Sequence, residues 1–157
     1  MSCDAPLAAA AALFLASWHG DASLTKVSAF ADALAPVASE PLFADIITRA
    51  GKLRSQIEAF RTAGGAPADL TPFKVEITAL AALDEKGHEV LLARGGDGDL
   101  KCILHGISQD LPKKLADMQV ASDAKAKDTA LKEMGYLLRD NVEVITTPAS
   151  VVSGKEG

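Results

Sequence analysis

The stretch from Asp97 to Met118, DGDLKCILHGISQDLPKKLADM, constrains this chain more than any other. Leu100, Ile103, Leu104, Ile107, Leu111, Leu115 and Met118 fall mostly three or four apart. At about 100° per residue they form one apolar stripe. Lys101, His105, Ser108 and Gln109 take the opposite side of such a helix. Asp97, Gly98 and Asp99 read as its start, because a carboxylate there accepts from the unpaired N–H groups of the first turn. Pro112 offers no N–H to the preceding turn, so an interruption or restart is expected there. A stripe of this kind needs a partner surface, which makes the segment a central core helix.

Other stretches supply that surface. Aromatic residues make up only 4% of the 157, while alanine is abundant, and alanine favours helices that approach closely. A first helix is expected from about residue 6 to 18 and a second from about 23 to 34. A third and longer one opens at Ser39 with Pro41 in its first turn. In it Phe43, Ile46, Ala50, Leu53, Ile57 and Phe60 alternate three- and four-residue steps, and Gly64-Gly65 stops it. Further on, Ser122-Asp123 caps a helix carrying Ala130, Leu131, Met134, Leu137 and Leu138, which Asp140-Asn141 ends.

Residues 71–94, TPFKVEITALAALDEKGHEVLLAR, read two ways. As a helix they begin with Thr71 and Pro72 and carry an irregularity at Gly87. As strands, Val75, Ile77, Ala79, Ala81 and Leu83 alternate, and Asp84-Glu85-Lys86-Gly87 turns a hairpin. The alanine-rich centre and the length favour helix. VEVITT, residues 142–147, is β-branched and alternating, so it reads as a short C-terminal strand or an extended arm. The expected fold is therefore mainly α. It is a bundle of five to six helices over residues 1–147, with a minor hairpin at 74–94 as the alternative. Residues 63–70 form the one candidate internal boundary, and 148–157 a loose tail.

The net charge is −5, which lacks the basic footprint that nucleic acid or an anionic membrane surface demands. The apolar run Leu7–Trp18 is too short to span a bilayer and follows Asp4 rather than a positive charge, so it reads as a buried helix. Two cysteines, Cys3 and Cys102, make no disulfide framework. Cys102 is expected as a partly buried thiol, as suits a reducing cytoplasm.

Chemistry-bearing residues are few. Asp84 and His88 are four apart and share a helical face, as an acid–base pair or half of a metal site. Glu85-x-x-His88 has the spacing of half a di-iron carboxylate site, but no second copy follows. Cys102 and His105 are three apart without a completing pair of ligands. Residues 95–99, GGDGD, lack the later oxygen ligands of a calcium loop and the Gly-Lys-Ser/Thr of a phosphate loop. His88-Glu89 and His105-Gly106-Ile107-Ser108 loosely resemble the surface histidines of helical phosphorelay proteins. The Leu-Lys-Gly that follows the histidine in phosphotransfer domains is absent here.

These residues lead to two expectations. The first is an acidic cytoplasmic interaction module (an adaptor, chaperone-like or regulatory protein) that binds a protein partner through an apolar helix face and is not an enzyme. It is expected as a homodimer, since the third helix carries a longer apolar stripe than an alanine-rich neighbour can cover. The alternative is a histidine phosphotransfer or small enzymatic domain using His88 or His105, with Asp84 as the third candidate. No cofactor and no metal is expected in either case.

Overall fold

The computed structural model of the chain describes residues 37–95 and 98–147. A short 3-10 turn, Val37–Ser39, precedes four helices: α1 (Pro41–Thr62), α2 (Thr71–Arg94), α3 (Gly98–Val120) and α4 (Ala124–Thr146). Each packs on its neighbours in a closed ring, α1 on α2, α2 on α3, α3 on α4 and α4 back on α1. The α2–α3 pair is the most extensive. Short connections make successive helices antiparallel, so the architecture is an up-down-up-down four-helix bundle. The helices expected over residues 6–18 and 23–34, the cap at Asp97 and the tail over 148–157 lie outside the described residues.

Residues 71–94 form one uninterrupted helix, so the hairpin alternative is wrong. The buried positions are Phe73, Ile77, Leu80, Ala81, Asp84, Gly87 and Leu91, a three-to-four rhythm. Val75, which the alternating pattern would bury, is 61% exposed. Gly87 causes no irregularity. It lets α1 and α3 come close, since a Cβ there would stand 3.1 Å from Leu104 Cδ1 and 3.3 Å from Phe43 Cε1. Gly95 ends the helix in the left-handed region at φ 66°, where glycine carries no Cβ penalty.

No strand occurs among the described residues, and the expected C-terminal strand is helical to Thr146. Leu138, Asn141 and Ile145 are buried at three- and four-residue spacing, so packing outweighs the β-preference of VEVITT. Asn141 therefore sits inside α4 rather than ending it. Asp123 caps this helix as expected, its Oδ1 accepting from the Ala126 N–H at 2.8 Å. At α1 the cap position falls to Glu40 rather than Ser39, with no side-chain cap bond. The Glu40 carboxylate instead accepts from Nη1 and Nη2 of Arg94, each at 2.7 Å, fastening the end of α2 to the start of α1. That fork holds the Glu40 carboxyl below its usual range.

The α1 stripe Phe43, Ile46, Ala50, Leu53 and Ile57 is fully buried, and Phe60 meets Phe73 edge-on at 5.6 Å. The α3 stripe holds from Leu104 to Met118, although Ile103 at its edge is 41% exposed. Helix α3 runs on through Pro112, which lies on the exposed side where a missing N–H is tolerated. Cys102, on α3, is partly buried, as expected.

Candidate functional site

The α2 turn Asp84-Glu85-x-x-His88 carries both unusual polar groupings of the bundle. Asp84 leans inward, Glu85 points outward towards α3, and His88 lies between those directions, one turn on. The expected Asp84–His88 pairing gives way to two separate arrangements, one buried and one at the surface.

Asp84 and Asn141 are both completely buried, and Asn141 Nδ2 donates to Asp84 Oδ2 at 2.8 Å. Helices α2 and α4 are diagonal in the ring, so this bond crosses the bundle core. Asp84 Oδ1 and Asn141 Oδ1 have no hydrogen-bond partner among the described residues. Burial pushes the Asp84 carboxyl up to about 7, against a smaller opposing effect of the Asn141 bond. A protonated Asp84 gains a donor, which is what two acceptor oxygens without partners call for. Asp84 has no access to solvent, and its role is in the core.

The second grouping lies in the groove between α2 and α3. His105 Nδ1 donates to Glu85 Oε2 at 2.9 Å, with both side chains 40% exposed. The Ser108 hydroxyl stands 2.7 Å from the same Oε2 and 2.7 Å from the His105 carbonyl. The Ser108 bond, then the His105 bond and the nearby imidazole charges, keep the Glu85 carboxyl below its usual range. Glu85 is thus a carboxylate across the neutral range. Gln109 Nε2 donates to His105 Nε2 at 2.8 Å. His88 Nδ1 donates to the Lys101 carbonyl at 2.8 Å. The two imidazoles lie 4.8 Å apart between centroids, tilted by 35°.

The hydrogen bonds determine where the ring protons sit. A carbonyl and a carboxylate only accept, so each histidine carries its proton on Nδ1 and presents Nε2 as a lone pair when neutral. The sequence places Glu85 and His88 on one α2 face, but it does not show that His105 completes the group. Helical spacing puts Ser108 on the outer side of α3, yet it is nearly buried and turned towards Glu85. Cys102 does not join His105 in one site, because His105 faces Glu85 and the convergent group is Glu85, His88 and His105.

No helix among the described residues is long and apolar enough to cross a membrane. No known protein family, curated protein or solved structure matches this chain.

Proposed function

We propose that this protein is a helical binding module of adaptor or regulatory type, with the α2–α3 histidine groove as its working face and a protein as its partner. The carrying observation is the convergence of Glu85, His88, His105, Ser108 and Gln109 from two helices on one half-exposed strip. Among the described residues, the other interhelical polar contacts at the surface are ion pairs, such as Lys114–Glu133 and the Glu40–Arg94 fork, with no histidine or hydroxyl in them. An apolar helix face is the weaker basis for binding. The large exposed apolar side chains Val75, Leu92, Ile103, Val120 and Tyr136 are spread over three helices. Capture from native extract, comparing wild type with His88→Ala/His105→Ala, tests this reading. A partner retained by the wild type and lost by the double variant supports it, and equal capture by both rejects it.

A second reading, phosphotransfer through His105, draws on the Glu85 bond to Nδ1. That bond leaves Nε2 as the nucleophilic nitrogen on a helical scaffold. The carboxylate beside the ring opposes an incoming phosphoryl group, which ranks this reading second. Incubation with a phosphodonor should then give an acid-labile label that disappears in His105→Gln and persists in His88→Gln.

The dimer proposal loses its original motive, because the α1 stripe is buried within one chain.

A further inference from the structure

We infer that Glu85, His88 and His105 form a binding site for a single first-row divalent transition metal, of the zinc, cobalt, nickel or copper class. This inference rests on the groove being the working face, and it names the ligand that face takes. One ligand atom from each of the three residues lies within 4.8 Å of the others. Glu85 and His88 are three apart on α2, so the helix holds both over one spot. His105 reaches the same spot from the antiparallel helix α3.

The existing hydrogen bonds match what coordination needs. Ligands bound at about 2.0–2.2 Å to one ion stand about 3.0–3.6 Å apart, and Glu85 Oε2, now 2.9 Å from His105 Nδ1, needs to part from it only slightly. The ion would take the place of the proton between them. That proton is not lost, because the imidazole exchanges tautomers and carries it on Nε2. The Gln109 amide then turns over to accept it through Oε1. His88 contributes Nε2, since its Nδ1–H is held by the Lys101 carbonyl, the backbone support common behind metal-bound imidazoles. Ser108 steadies the carboxylate at 2.7 Å.

The donor set selects the ion. Two imidazoles and one carboxylate suit borderline metals, whereas calcium and magnesium want oxygen ligands throughout. A carboxylate placed beside two imidazoles attracts cations and disfavours phosphate or sulfate. The Glu-x-x-His spacing belongs to bundles that hold two irons in their core, but here the group lies in a half-exposed groove with a third ligand from only one further helix. That geometry fits one ion with open positions, filled by water or by a group of the bound partner.

Titration of the untagged, chelator-treated full chain with Zn²⁺ by calorimetry, and with Co²⁺ by visible absorption, tests the site. One ion per chain is expected, with cobalt bands of nitrogen–oxygen coordination. Glu85→Gln, His88→Gln and His105→Gln should each weaken binding at least ten-fold, and His88→Gln/His105→Gln should abolish it. His19→Gln, which alters the remaining imidazole, should leave it unchanged. Circular dichroism separates loss of a ligand from loss of fold. Absence of saturable one-to-one binding, or binding that survives the double histidine variant, overturns the inference. Partner capture repeated in chelator separates the two ideas: metal-independent capture lost in the double variant keeps the working face while a failed titration removes the metal.

Discussion

Asp84 is the residue whose chemistry is most altered by the fold. Its carboxyl is pushed up to about 7 in the folded chain from an ordinary value of 3.8, chiefly by burial. The folded state therefore holds a proton that the unfolded chain gives up at lower pH. The stability this group contributes is greatest below about pH 4, falls as pH rises towards 7, and levels off above it. Asp84→Asn keeps the shape and removes the ionisation. In chelated buffer its denaturation midpoint should vary less than wild type between pH 4 and 8, and at pH 8 it should exceed wild type. The loss of slope should amount to a few kcal/mol at most, since each ten-fold change in proton affinity is worth about 1.4 kcal/mol. Parallel profiles for the two proteins would show that Asp84 is already ionised or hydrated in the fold.

At the scale of elements, each helix depends on a few positions that can be tested singly. Gly87 is where α2 lies against Leu104 and Phe43, so Gly87→Val forces these side chains apart and should cost about 1–3 kcal/mol by urea denaturation. Ile107 lies in the middle of the α3 stripe at 5% exposure, and Ile107→Ala should cost about 2–5 kcal/mol. A loss under about 1 kcal/mol would mean that the neighbouring helices collapse into the space. Asp123→Ala removes the acceptor for the Ala126 N–H at the start of α4, and a cap of this kind is worth about 1 kcal/mol. Hydrogen exchange should show the change confined to the first turn of α4.

For the whole molecule, the Asp84–Asn141 bond is the polar contact that crosses the bundle between diagonal helices. Removing one partner strands the other in the core. Asn141→Leu should therefore destabilise by about 1–3 kcal/mol or more, the cost of an unsatisfied buried polar group. Asp84→Leu/Asn141→Leu removes both groups and should recover much of that loss, giving a favourable coupling in a double-mutant cycle. Additive losses would show that the bond contributes nothing as a pair. Sedimentation at micromolar concentration tests the assembly, because the apolar stripe of α1 is buried without a second copy.

Helix, rather than strand, was legible wherever the burial rhythm was unambiguous: Phe43 to Ile57 in α1, Leu104 to Met118 in α3 and the Asp123 cap of α4. These features are set by side-chain spacing along one helix and by a local cap. The stretch at 74–94 was ambiguous, because alternation and helical rhythm coexist in it, and the β-branched alternation of 142–147 pointed wrongly to a strand or extended arm; packing against neighbouring helices decided both. The same division applies to the sites. The Asp84, Glu85 and His88 turn could be read along α2, since residues three and four apart share a face. Asn141 as the partner of Asp84 lies 57 residues away, and His105 as the partner of Glu85 lies 20 away on another helix. Such pairings depend on the register of one helix against another. That register is decided by how the four stripes fill a common core, a property of the assembled bundle that no single stretch carries.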